Sequence, residues 1–361
     1  MLSRLVPLKV HQYAALGVQN WWMLTAPEPV RNYVAYRLAP HRERIDHARI
    51  GPVFMTYSVT RRCNLQCRFC IVGDVLNKGG VRADDATLDD TRRIFSHPVA
   101  RRCLYVMLTG GEPLLNADLV SICRFIKSAR HIVSVNTNAL LLPRLLDALV
   151  AAGIDMLNVS HYDENAEALE EILPLAAARI YTKLLKVIGE DEVREPEQLE
   201  AVLELARRSK CPRVFFQNTY PHVDGLARAR TLSVPFERHG TEKCPVTDET
   251  AGYIRVREEL TRRYADVHVD WPAPVITRGP LPRKTCRMPW YLFAVDGQGR
   301  LALCSSHASC TGPSIFDLPA ADVLNTEPWI TVRRGLLDAN AAAPALCRGC
   351  YTLTDRWRSD M

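Results

Sequence analysis

From residue 53 onwards, short apolar runs alternate regularly with amphipathic stretches. VFMTYSV (53–59), CLYVMLTG (103–110), HIVSVNTN (131–138), MLNVSHY (156–162), IYTKLLKVIG (180–189) and RVFFQNTY (213–220) have the length and the β-branched and aromatic content of strands. Between them, residues 85–97, 117–130, 143–153, 164–178 and 196–210 carry apolar residues at helical spacing, as Leu119, Val120, Ile122, Phe125 and Ile126 show. Six apolar strands alternating with helices predict a parallel α/β sheet. No nucleotide-binding glycine fingerprint accompanies it. The expectation is therefore a partial or complete βα barrel, whose chemistry sits at the C-terminal ends of the strands.

The rhythm breaks after residue 221. One helix is expected over 248–264, followed by proline-rich WPAPVITRGPLPR, so residues 222–285 read as a linker. WYLFAV (290–295) and RLALC (300–304) then flank DGQG, which is a hairpin signal. A short helix over 328–338 and CRGC (347–350) complete a small unit. Residues 1–50 read as a helical extension. The expected plan is 1–50 extension, 51–221 barrel core, 222–285 linker and 286–361 small C-terminal domain.

Composition narrows the class. The chain has 361 residues, 47% of them hydrophobic, which is enough for a large core, and intrinsic disorder is not expected. The net charge of +6 is scattered in pairs such as Arg61-Arg62, Arg101-Arg102 and Arg333-Arg334. A nucleic-acid partner would call for a dense stripe, so none is expected, whereas an anionic small substrate fits. No apolar run reaches the length of a membrane span or a signal-peptide core. Twelve cysteines without an export signal point to a reducing, cytoplasmic setting, where thiols serve metal binding or catalysis.

The cysteines are clustered. RRCNLQCRFC (61–70) places Cys63, Cys67 and Cys70 in C-x3-C-x2-C spacing directly after the first strand. Three thiolates hold three irons of a four-iron cluster and leave the fourth open to a chelating amino acid, such as the methionine portion of S-adenosylmethionine (SAM). A cluster beside that sulfonium supplies the electron that cleaves a C–S bond to a carbon radical. The second strand ends in LTGGEPLL (108–115), whose glycines allow close backbone approach and whose Glu112 accepts from an ammonium. A zinc knuckle with a distant fourth ligand also explains three thiols, but neither GGEP nor the strand–helix rhythm.

C-x3-C-x2-C after the first strand and GGEP after the second resemble the radical SAM superfamily over roughly residues 53–221. The resemblance implies a partial (βα)6 TIM-like barrel. It implies cluster ligation by Cys63, Cys67 and Cys70, with Phe69 as the aromatic often found between the last two. It assigns Gly110, Gly111 and Glu112 to the methionine end of SAM. Asn136, Asn138 and Ser160 fall at the ribose or carboxylate contacts, Lys183 or Lys186 pairs with the carboxylate, and Val187, Ile188 and Gly189 resemble the adenine contact. A flavodoxin or ferredoxin is the implied electron donor.

Behind such a core, Cys286, Cys304, Cys347 and Cys350 resemble a Twitch domain, the shortened SPASM domain, which holds one auxiliary four-iron cluster; Gly299 sits at its turn. Alone, the same four cysteines suggest structural zinc. Cys310 is an extra thiol that substitutes for one of them in an alternative assignment. A four-cysteine cluster has no open iron, so its expected work is to take an electron from a substrate radical. Cys103, Cys123 and Cys211 read as structural thiols. Cys244 or Cys310 is a candidate hydrogen-atom donor. His161, Tyr162 and Asp163 after strand four, and Asn218, Tyr220 and His222 after strand six, are candidates for orienting a polar substrate or taking its proton, against ordinary strand-end capping.

The resulting expectation is an enzyme of specialised metabolism that oxidises a sugar, aminocyclitol or nucleoside. Epimerisation through a cysteine donor is a close variant. A peptide- or protein-modifying maturase is the second reading, and a non-catalytic zinc or nucleic-acid-binding protein the third.

Overall fold

In the computed structural model, Phe54–Thr60 (β1), Tyr105–Gly110 (β2), Ile132–Thr137 (β3), Met156–Ser160 (β4), Tyr181–Ile188 (β5), Arg213–Asn218 (β6) and His268–Asp270 (β7) lie side by side in chain order. All are parallel. Leu292–Asp296 (β8) adds in parallel to the free edge of β1, and Leu301–Ala302 (β9) pairs antiparallel with β8. The result is one nine-stranded, mostly parallel sheet, as expected of a partial βα barrel. The structure describes residues 20, 23, 25, 27–38, 46–49, 51–67, 69–70, 85–219, 244–276, 286–302, 304, 312–338, 340–341, 344, 347 and 350.

Helices cover one face of the sheet. Leu88–Ser96 starts in a capping box between Thr87 and Asp90, buries Ile94 and Phe95, and meets β1 where the Tyr57 hydroxyl pairs with Thr91 at 3.0 Å. Leu119–Ser128 buries Leu119, Ile122, Cys123 and Ile126, the stripe its spacing predicts. Cys103, Cys123 and Cys211 are all buried, in keeping with structural thiols. With Met55, Tyr57 and Val59 turned to the helices, Phe54, Thr56, Ser58 and Thr60 face the barrel lumen.

An aromatic plug closes the N-terminal end of the lumen. The Phe54 and Tyr105 rings stack at 5.2 Å, and Tyr36 of the helix Pro27–Leu38 packs edge-on against Phe54 and Tyr291. Within the expected extension, this helix thus seals the barrel floor.

Two features go beyond the sequence expectation. The segment 222–285 contains β7 as well as the helix Tyr253–Arg263. The C-terminal hairpin forms, but its first strand continues the barrel sheet at β1. No helix among the described residues is long and apolar enough to cross a membrane.

Candidate active site at the C-terminal end of the barrel

The cysteine loop and the end of β2 touch backbone to backbone. The Gly111 amide donates to the Thr60 carbonyl at 2.9 Å and the Glu112 amide to the Arg62 carbonyl at 2.7 Å. Gly110 has φ +143°, and a Cβ there would stand 2.1 Å from the Thr60 carbonyl oxygen. At Gly111 a Cβ would lie 2.1 Å from the Arg62 carbonyl oxygen and 3.1 Å from Cys63 Cβ. The two glycines therefore make room for the cysteine loop itself. Arg62 braces that loop by pairing with Asp85, which also accepts from the Thr60 hydroxyl at 2.5 Å.

Cys67 and Cys70 close one turn, with the Cys70 amide donating to the Cys67 carbonyl at 3.2 Å. The Leu65 amide points at Cys63 Sγ, 3.5 Å away. Burial pushes the Cys67 thiol up to about 12, and the charges of Cys70 and Cys63 add to it. Such a trio is held as thiolates by a cation, not by protons alone. Among the described residues no three His, Cys, Asp or Glu side chains converge on a single-ion site. Three thiols offered from one loop, two of them joined through a single turn, would suit a four-iron cluster with one open position.

Glu112 is buried and ties three strand ends together. One of its oxygens accepts from the Leu114 amide at 3.0 Å and the Thr137 hydroxyl at 2.7 Å, the other from the Asn138 amide at 2.7 Å. Burial raises its pKa to about 6, against the lowering effect of these donors. The Asn138 side chain donates to Asn64 Oδ1 in the cysteine loop at 2.8 Å. Asn165 donates to the carbonyls of Asn138 at 2.6 Å and Ser160 at 2.7 Å. Asn138, Ser160 and the GGEP segment are thus brought together at one rim. Asn64, Thr137 and Asn165 were missed, and so was the Arg62–Asp85 brace. Asn165 carries a local signal, three residues after Tyr162, whose amide it caps at 2.7 Å.

Phe69 packs 5.7 Å from the Tyr162 ring, and burial keeps that phenol protonated well above its usual range. Tyr162 therefore faces the cysteine loop. His161 is lowered to about 4, mainly by burial and then by Lys186, and its Nδ1 is buried without a hydrogen-bond partner. The two candidate lysines separate. Lys186 turns to the covered face and reaches Asp163 at 3.9 Å, while Lys183 points into the lumen. Ile188 accepts from the Thr219 amide at 2.9 Å and the Gly189 amide donates to Glu192 at 2.8 Å, so both hold β5 to its neighbours. Cys244 is exposed, and its carbonyl accepts from the Glu190 amide just past β5 at 2.9 Å. Asn218 is buried and clasps the Val246 backbone, a structural role. Cys310, Tyr220 and His222 lie outside the described residues.

Strand register builds a polar layer across the lumen. Asp296 stands beside Ser58, and Ser58 beside Thr109. Asn136, Asn158, Lys183, Arg213 and His268 follow on successive strands. Asn158 donates to Asn136 at 2.6 Å, and Arg213 pairs with Asp270, which also meets His268 at 3.2 Å. Lys183 is lowered to about 8 by burial first and by the Arg213 charge second.

The C-terminal cysteines lie toward the opposite end. Cys286 precedes the helical turn Met288–Tyr291 that enters β8 at the level of Phe54. Because β9 runs back along β8, Cys304 follows it toward that same end. Cys347 packs on the floor cluster that includes Tyr36 and Tyr291. The Cys350 amide donates to the Cys347 carbonyl at 3.1 Å, the same turn that joins Cys67 and Cys70. Gly299, at φ +79°, makes the hairpin turn with its amide on the Asp296 carbonyl at 3.0 Å.

Comparison with known proteins agrees with this geometry. Residues 57–216 match the model of the Radical SAM superfamily. A GTP 3′,8-cyclase of Chlorobaculum tepidum is 26% identical over 234 residues, a match that spans 59% of this chain and 62% of that enzyme. A PqqA peptide cyclase of Granulibacter bethesdensis is 24% identical over 312 residues, 83% of this chain and 79% of that enzyme. Among solved structures, Streptococcus suis SuiB bound to S-adenosylmethionine superposes with a TM-score of 0.58 at 15% identity, covering 79% of this chain and 68% of that one, a likeness of fold. Residues 57–216 are therefore a radical SAM domain.

Proposed function

We propose that this enzyme generates a substrate radical in the barrel lumen and oxidises a small polar substrate between two iron–sulfur clusters. The supporting observation is the placement of the two cysteine groups at opposite ends of one polar lumen. From the Phe54 level to the Thr60 level the strand rises about 20 Å at ~3.3 Å per residue. The four-iron cluster on Cys63, Cys67 and Cys70, with SAM on its open iron, supplies a 5′-deoxyadenosyl radical when bound.

The chain's own residues then divide the work. Gly110 and Gly111 let the cysteine loop seat against β2. Glu112 and Asn138 fix the rim that faces the methionine end of SAM, and Ser160 extends that rim to β4. Lumen groups from Ser58 to Arg213 hold the substrate away from water. His161, buried beside Lys186 and uncharged near neutral pH, is the proposed proton acceptor. Cys286, Cys304, Cys347 and Cys350 would hold an auxiliary four-iron cluster beneath the aromatic floor. That position suits it to receive the electron a hydroxyl- or amine-bearing substrate radical gives up. A flavodoxin or ferredoxin is the proposed reductant of the SAM-binding cluster, and a cytoplasmic location follows from that requirement.

The expected substrate is a sugar, aminocyclitol or nucleoside, and the GTP 3′,8-cyclase relative acts on a nucleotide. A peptide substrate is the second reading, favoured by the PqqA peptide cyclase that matches 83% of this chain. The test is anaerobic incubation of reconstituted enzyme with dithionite and SAM. The expected result is 5′-deoxyadenosine and methionine, lost in Cys67→Ala; a folded, iron-loaded enzyme that forms neither product overturns the reading.

A further inference from the structure

The polar layer contains an imbalance that the function so far leaves unused. Lys183 and Arg213 are in-register neighbours on β5 and β6 and face the same lumen. In-register side chains on adjacent strands have Cβ atoms about 5 Å apart. One carboxylate, Asp270, serves this pair, and it is engaged by Arg213 and His268. Lys183 makes no hydrogen bond or ion pair among the described residues, and its ammonium lies 6.0 Å from the Tyr181 ring centroid. One layer below Lys183, Tyr181 sets its buried hydroxyl against the Arg213 guanidinium. Buried polar groups are normally paired, so the Lys183 ammonium left open beside Arg213 marks space for a ligand.

We propose that Lys183 and Arg213 form an anion subsite that anchors a carboxylate or phosphate group of the substrate. The subsite lies deeper than the SAM-facing rim. Ser160 is level with Leu185, so Lys183 sits two residues, about 7 Å, closer to the floor. On this proposal Lys183 contacts the substrate and not the SAM carboxylate. Asn136 and Asn158, joined side chain to side chain on the neighbouring strands, flank the subsite and leave amide groups for the uncharged part of the substrate. The proposal rests on the lumen being the substrate chamber and names the charge of what enters it.

The test is lysine acylation followed by peptide mass mapping near pH 8, on cluster-reconstituted, SAM-loaded enzyme. The lowered pKa makes Lys183 reactive there, and an anion on the amine raises its pKa and shields it. Inorganic phosphate or acetate at about ten times its dissociation constant should slow Lys183 acylation roughly tenfold, against potassium chloride at equal ionic strength. Protection by phosphate alone assigns a phosphate-bearing substrate, and protection by acetate assigns a carboxylate. Arg213→Gln combined with Asp270→Asn removes the second cation without stranding a buried carboxylate, and should abolish the protection. Equal acylation in phosphate, acetate and chloride overturns the proposal, as does full protection in the double variant. The readout needs no turnover, so failure of SAM cleavage and failure of this subsite are separately visible.

Discussion

The Asn138 side chain reaches from the end of β3 to Asn64 in the cysteine loop, at 2.8 Å, while the Asn138 backbone amide holds Glu112 at 2.7 Å. One residue thus couples the cysteine loop to the GGEP segment. Asn138→Ala removes the side-chain link and the Leu140 cap but leaves the Glu112 contact. The loss is expected to be about 1–3 kcal/mol, with faster loss of iron during gel filtration. Urea melts and iron assays on the same preparation measure both.

Glu112 gives the fold a pH dependence of defined sign. Its folded pKa of about 6 lies above the ordinary value of 4.5, so between these the folded state holds the proton more tightly than the unfolded chain. Its contribution is complete below about pH 4.5 and is lost as pH rises through about 6, by about 2 kcal/mol in all. His131 and His161, both lowered to about 4, act in the opposite direction, destabilising as pH falls from 6.5 toward 4. Comparing wild type with Glu112→Gln isolates the first effect: the difference in unfolding free energy should change across pH 4.5–6 and level off above it.

Gly110→Ala and Gly111→Ala should separate the barrel from its chemistry. Each added methyl would meet a backbone carbonyl at 2.1 Å, so the cysteine loop must shift. Secondary structure by circular dichroism should persist while reconstituted iron falls sharply. Wild-type iron content in either variant would show that the close approach is dispensable.

Away from the site, Asp155 is buried and accepts from Lys127 at 2.7 Å, Asn20 at 2.8 Å and the Val133 amide at 2.7 Å. Lys127→Met leaves that carboxylate without its cation and should cost about 3 kcal/mol. SAM cleavage per folded, iron-loaded molecule should stay at the wild-type level, which thermal melts and product assays check together.

The parallel barrel was legible because its strands are short runs rich in β-branched and aromatic residues and its helices carry clear stripes. β7 was not, because HVD (268–270) is three residues long and has no periodicity of its own. The junction of β8 with β1 was also hidden, since pairing across more than two hundred residues leaves no local trace. At the site, the motif cysteines and GGEP were readable, but the role of the glycines was not, because the atom they avoid belongs to another segment. The lumen layer shows the same limit. Asn136, Asn158, Lys183, Arg213 and His268 come from five strands, and only register makes them neighbours.

The most direct test of the two-cluster account is iron and sulfide content after anaerobic reconstitution, on wild type and on the Cys63/Cys67/Cys70→Ala variant. The account predicts about eight irons per chain falling to about four, the remainder held by the C-terminal cysteines. About four irons falling to none would leave the C-terminal site without a cluster and contradict the proposed electron path through the barrel floor.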